Sequence, residues 1–183
     1  MNLPNKLTLL RIVLIPVMVV LYYIKALDYE VFMGISMQYI LIVAIFVIAS
    51  ITDFLDGYLA RKLNLVTTFG KFMDPLADKL LVMAALLLLA EAGLVWTWLV
   101  IVILSREFIV SGIRLVAVSE GKVIAASNLG KYKTSVTMIA IILLFINPLF
   151  LIGHYLMIVA LVLTIVSGYD YLVKNLSIIL NSK

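Results

Sequence analysis

Four aspartates fall between positions 53 and 78 of an otherwise apolar chain. The stretch Asp53-Phe-Leu-Asp56-Gly57-Tyr-Leu-Ala60-Arg61 is followed, after eight residues, by Gly70-Lys-Phe-Met-Asp74-Pro-Leu-Ala-Asp78. A carboxylate at the centre of a bilayer costs about 2.5–3.5 kcal/mol on insertion scales, so a group of four implies use. The i,i+3 spacing of Asp53 and Asp56 and the i,i+4 spacing of Asp74 and Asp78 put each pair on one face of a helix. Four anions in one space repel unless cations neutralise them. Without His or Cys beside them, the fitting ions are hard, oxygen-ligated ones: Mg²⁺ or Mn²⁺, expected as a pair. Two such ions clamp a diphosphate and stabilise the attacking and leaving oxygens of an in-line displacement. One carboxylate of the four is free to accept a proton from an attacking hydroxyl.

The residues between the acids suit that chemistry. Gly57 and Ala60 keep the helix surface low, so a flat group such as a nucleotide base can approach. Arg61 offers a planar fork to phosphate oxygens, and Gly70 permits close approach before the second acidic pair. A single helix-end aspartate is more often only a solvated residue. Four on facing ends, with Gly-x-x-Ala-Arg between them, favour a site.

The surrounding chain must hold these groups in a membrane. Of 183 residues, 65% are hydrophobic and 13% charged. Soluble domains average about 45–50% apolar and about 25% charged residues. The expected fold is therefore an all-α integral membrane protein, one domain over residues 1–183. No cleavable signal peptide is expected, because the first apolar run has no small-residue cleavage site with a mature domain behind it. There are no cysteines, which excludes disulfides and thiolate chemistry. The net charge of +4 comes with no basic arm or nucleic-acid motif, and reads as topology and lipid-headgroup contact.

Six apolar segments, at 7–26, 33–60, 74–93, 97–118, 132–147 and 149–173, predict six transmembrane helices, the fifth of them short. With both termini cytoplasmic, Lys6, Arg11, Arg61, Lys62, Lys71, Lys122, Lys131, Lys133, Lys174 and Lys183 fall at the inner face, and Lys25 is the lone outer lysine. The outer turns then carry Asp28, Glu30, Glu91, Trp96 and Trp98, and one of them is Asn147-Pro148. Asp53 and Asp56 are placed near the cytoplasmic end of the second helix, and Asp74 and Asp78 at the cytoplasmic start of the third. The two pairs thus converge on a cytoplasm-facing cavity.

A second group is basic. Arg106 and Arg114 lie about 12 Å apart by helix rise and about 80° apart around the axis, so they share a side. With Lys131 and Lys133 they form a candidate pocket for a substrate phosphate. The competing reading makes Arg106 part of a structural ion pair, with Glu107 or Asp74, and the lysines ordinary positive-inside charge. His154, the only histidine, is expected on the far side from the aspartates, in a surface or packing role. Asp170 and Lys174 read as a helix salt bridge.

The pattern Asp-x-x-Asp-Gly-x-x-Ala-Arg-x8-Gly-x-x-x-Asp-x-x-x-Asp resembles the signature of the CDP-alcohol phosphotransferases, with all eight fixed positions present. The likeness extends through Pro4-Asn5-Lys-Leu-Thr8-Leu-Leu-Arg11, Arg106-Glu107-Phe-Ile-Val-Ser-Gly-Ile-Arg114 and Gly130-Lys131-Tyr-Lys133-Thr134. It implies that Asp53, Asp56 and Asp74 hold the metals, and that Asp78 lies near the second ion and is the general base. It implies that Gly57, Ala60 and Gly70 pack against cytidine, that Arg61 meets the diphosphate, and that Asn5 and Thr8 lie at the nucleotide's edge. The implied reaction carries the phosphatidyl group of CDP-diacylglycerol to sn-glycerol 3-phosphate in a bacterial cell membrane, by a homodimer. Two alternatives stay open: an enzyme of the same family making cardiolipin from phosphatidylglycerol, and, more distantly, a non-enzymatic divalent-cation transporter.

Overall fold

The computed structural model describes residues 2–32, 34–62, 67–119, 128–146 and 151–175, without the side chains of Leu3, Phe32, Ala60, Arg61, Thr68, Phe69, Lys71, Phe72, Ser119 and Asn128. Lys122, the Asn147-Pro148 turn and Lys183 lie outside the described residues, as do the side chains of the Ala60 and Arg61 singled out above.

Among the described residues there are six long helices: α1 Leu3–Tyr23, α2 Met37–Lys62, α3 Thr68–Glu91, α4 Thr97–Ser119, α5 Asn128–Ile146 and α6 Leu151–Lys174. Between α1 and α2 the chain makes a small antiparallel hairpin, β1 Glu30–Phe32 and β2 Ile35–Ser36. The hairpin was not expected from the sequence, which ran the second apolar segment back to residue 33. Gly34, at φ 81°, makes its turn and donates its N–H to Glu30 Oε1 at 2.7 Å. Ser36 Oγ then accepts the N–H of Tyr39 near the start of α2.

The start of α3 lies upstream of the expected one. Thr67 caps it, its hydroxyl accepting the Gly70 N–H at 3.0 Å, so Gly70 and Lys71 are helical. This corrects the placement of Asp74 and Asp78. Asp74 lies about 9 Å along the axis from the start of α3, and Asp56 about 9 Å from the end of α2. Asp74 and Asp78 are thus not at the start of their helix, while Asp53 and Asp56 lie near the end of α2 as expected.

Met18, Ile42, Phe46, Leu81, Leu86, Leu89, Leu99, Ile103, Ile141, Leu144 and Phe145 form a closed apolar centre contributed by α1 to α5, against which Met157 and Leu161 of α6 pack. Outside it the chain is greasy. The spans Pro4–Tyr23, Met37–Leu59, Leu129–Ile146 and Leu151–Lys174 are long and apolar enough to cross a membrane, yet only 17% to 33% of their residues are buried. So much exposed apolar surface suits lipid, not water. Helices α3 and α4 are as long, at 24 and 23 residues, and fall short in composition alone. The charges that lower it are Asp74, Asp78 and Lys79 on α3, and Arg106, Glu107 and Arg114 on α4.

Candidate active site

The acid cluster is organised by α1. Asn5, Thr8 and Arg11 follow one another at i, i+3 and i+6, a stripe along one side of the helix. Arg11 is wholly buried. Its Nη1 lies 2.6 Å from Asp53 Oδ1, its Nη2 2.6 Å from Asp56 Oδ2, and its Nε donates to the Ala49 carbonyl at 3.3 Å. Thr8 Oγ1, also buried, donates to Asp74 Oδ1 at 2.6 Å. Asn5 Oδ1 accepts the Thr67 hydroxyl at 2.8 Å, which ties α1 to the cap of α3. Gly70 is held tightly here: a Cβ would lie 3.3 Å from Thr67 Oγ1, 3.4 Å from Asn5 Oδ1 and 3.4 Å from Asp74 Oδ2.

One oxygen of each of Asp53, Asp56 and Asp74 is therefore engaged by α1. The other has no hydrogen bond among the described residues. Asp56 is 2% exposed and Asp53 37%, so the pair has a buried side, which Arg11 neutralises, and an open side. Asp53 lies within electrostatic reach of both Asp74 and Asp78. No three His, Cys, Asp or Glu side chains among the described residues are gathered so that they could hold a metal ion as they stand. The donors nevertheless fit a hard cation, being carboxylate oxygens with one free position each and no competing nitrogen or sulfur.

Asp78 opens onto a different space. With Lys79, Val82 and Met83 of α3 it lines a cleft shared with Ile103, Glu107 and Phe108 of α4 and with Lys133, Thr134 and Thr137 of α5. Glu107 is the hub of this cleft. Its Oε1 pairs with the buried Lys133 and lies 3.0 Å from Arg106 Nη1. Arg106 Nη2 donates to Ser167 Oγ at 3.0 Å, and the Arg106 stem passes over Gly168, where a Cβ would meet Cγ at 2.9 Å. Two turns further along α4, the Arg114 guanidinium lies 5.5 Å from the centre of the Tyr171 ring. The cations of α4 are thus braced by Ser167, Gly168 and Tyr171 of α6.

Of the four basic residues read as one pocket, Arg106 and Lys133 meet at Glu107. Arg114 is set apart beside Tyr171, and Lys131 is exposed. The ion-pair alternative for Arg106, with Glu107 as partner, is present. Sequence reasoning assigned Arg11 only to topology and gave Glu107 only as a possible counter-ion. The signal for Arg11 was its register with Asn5 and Thr8. His154 lines a pocket with Trp96 and Met157, on the end of the bundle where Tyr23 donates to Glu91, away from the aspartates. Asp170 and Lys174 form the expected i,i+4 pair.

Known proteins are similar to this chain in sequence. The chain is similar to a CDP-diacylglycerol–glycerol-3-phosphate 3-phosphatidyltransferase of Bacillus subtilis, 47% identical over 95% of each chain. It is similar to the protein of the same name in Rickettsia typhi, 42% identical over 93% of this chain and 94% of that one. A probable phosphatidylglycerophosphate synthase of Mycobacterium tuberculosis is 39% identical over 96% of this chain and 82% of its own. A family model matches residues 1–166, across both the α1 stripe and the acid cluster, and the chain belongs to the CDP-alcohol phosphatidyltransferase family.

Proposed function

We propose that the protein transfers the phosphatidyl group of CDP-diacylglycerol to sn-glycerol 3-phosphate, giving phosphatidylglycerophosphate and CMP. The names of the relatives support this acceptor. The observation that carries the mechanism is the position of Asp78: it lines the cleft containing Lys133 and Glu107 while lying within electrostatic reach of Asp53. A proton acceptor between an acid cluster and a basic cluster suits the transfer of a phosphoryl group to a phosphorylated alcohol.

Asp53, Asp56 and Asp74, with Asp78 beside them, would hold Mg²⁺ or Mn²⁺, expected as two ions. When bound, such ions neutralise the diphosphate and the charge on departing CMP. The protein's own groups do the rest. Asp78 takes the proton of the acceptor hydroxyl, and that oxygen forms a bond to the lipid-side phosphorus. The bond from this phosphorus to the bridging oxygen breaks, and CMP leaves with the electron pair. Arg61 is assigned to the diphosphate, and Gly57, Ala60 and Gly70 to the cytidine end, with Asn5 and Thr8 at its edge.

The acceptor's phosphate is assigned to Arg106, Arg114, Lys131 and Lys133. Because Arg106 and Lys133 already share Glu107, an entering phosphate competes with that carboxylate. All six helices span the bilayer of a bacterial cell membrane, the termini are cytoplasmic and the cavity opens to the cytoplasm, where the nucleotide and glycerol 3-phosphate are found. The acyl chains stay in lipid, and the enzyme acts as a homodimer.

The test is purified protein with CDP-diacylglycerol and a panel of acceptors, reading CMP release and the lipid product. Product with glycerol 3-phosphate is expected. Product with phosphatidylglycerol alone would move the assignment to cardiolipin synthesis, and absence of transfer to any acceptor would overturn it.

A further inference from the structure

We infer that Thr8 and Arg11 are positioning residues, which fix the carboxylates of Asp74, Asp53 and Asp56 for a divalent cation. The inference rests on the reading of those acids as metal ligands and assigns a task to residues outside them. A carboxylate on a helix rotates about its side-chain torsions, and each acid loses that freedom to one donor from α1. Arg11 spans two acids with the two arms of one guanidinium: Nη2 donates to Asp56 Oδ2, and Nη1 makes an ion contact with Asp53 Oδ1 without hydrogen-bond geometry, both at 2.6 Å. The fork is itself fixed, because Arg11 is wholly buried and its Nε is anchored on the Ala49 carbonyl. Thr8 does the same for Asp74 through Oδ1.

The division of oxygens carries the argument. A partner that merely neutralised the acids would be free to engage both oxygens of a carboxylate. Here each acid is held by one oxygen, and the other has no hydrogen bond among the described residues. Donors that hold one oxygen of a ligating carboxylate orient the other and raise metal affinity. The three donors belong to one helix, so the ligands of α2 and α3 are aligned by a single rigid element. Thr8, assigned above to the nucleotide's edge, thus also touches a ligand carboxylate.

Arg11→Lys separates orientation from charge. Lysine keeps the positive charge but cannot bridge two carboxylates with a planar fork. Thr8→Val removes the hydroxyl at nearly constant shape, and Thr8→Ser restores it. The full-length, metal-free protein in detergent is titrated with Mn²⁺ alone, free Mn²⁺ is read by electron paramagnetic resonance, and folding is checked by thermal unfolding. Arg11→Lys and Thr8→Val are each expected to weaken Mn²⁺ binding roughly 10- to 100-fold, and Thr8→Ser to return close to wild type. Wild-type Mn²⁺ affinity in either folded variant overturns the assignment for that residue. If Arg11→Lys does not fold, the Thr8 pair decides the proposal. A wild-type protein that binds no Mn²⁺, or an Asp74→Asn variant that binds it normally, overturns the metal reading itself and is distinguishable from failure of the positioning role.

Discussion

Glu107 and Lys133 form an ion pair across the α4–α5 interface, with Lys133 only 5% exposed. The same carboxylate oxygen also pairs with Arg106. One anion is therefore shared by two cations, which leaves this group net positive while Glu107 already occupies it from within.

Glu107→Gln keeps the shape of the side chain and removes that charge. It leaves Lys133 and Arg106 facing each other with only the Asp78 carboxylate within electrostatic reach of Lys133. Breaking a buried pair costs about 3–5 kcal/mol, and the partial exposure of Glu107 points to the lower end. The variant is expected to unfold at a clearly lower temperature in detergent. Added glycerol 3-phosphate should raise its Tm by more than it raises that of wild type, because the anion replaces the missing carboxylate. Equal shifts in both proteins would place the acceptor phosphate elsewhere.

Activity is expected to require Mg²⁺ or Mn²⁺, and Asp53→Asn to abolish it. The motive is an all-carboxylate cluster with one unengaged oxygen on each of three acids. Full turnover in excess chelator would remove metal from the mechanism.

Asp78→Asn should bind CDP-diacylglycerol better than it turns it over, since an amide fills the space but takes no proton. Parallel binding and rate measurements make the distinction. A joint fall in both identifies Asp78 chiefly as a metal ligand, and wild-type turnover removes it from both roles.

Replacing Arg106 or Arg114 with Ala is expected to raise the KM for glycerol 3-phosphate far more than that for CDP-diacylglycerol. A lost charge-assisted hydrogen bond of about 1.5–3 kcal/mol corresponds to roughly 10- to 150-fold. Gly168→Leu should act in the same direction without touching substrate, because its Cβ would press on Arg106 Cγ at 2.9 Å. If both arginine variants keep a wild-type acceptor KM, the phosphate site lies with Lys131 and Lys133.

Helix number, the acid pairs and their shared side of the bundle were legible because apolar length and i,i+3 or i,i+4 spacing are local signals. The start of α3 was not, because hydropathy begins at residue 74 while the Thr67 cap and helical Gly70 are polar or neutral. The hairpin straddles the expected boundary: β2 lies inside the apolar segment begun at residue 33, and β1 in the turn before it. Arg11 was misjudged for a different reason. In a sequence it is a cation near a terminus, and only the packing of α1 against α2 turns it inward onto Asp53 and Asp56. Glu107 likewise acquired its second partner from α5, 26 residues away in sequence. Long-range pairing of charges is a property of the assembled bundle, which spacing rules do not reach.

The buried guanidinium also bears on how the enzyme is made. Acids waiting for a metal would make membrane assembly depend on that metal, since buried anions without a counter-charge are costly. Arg11 lies on α1 and meets Asp53 and Asp56 as soon as α2 packs against it. The bundle can thus be completed with its own cation in place. Scarcity of divalent ions is then expected to idle finished enzyme while leaving the amount of it in the bilayer unchanged.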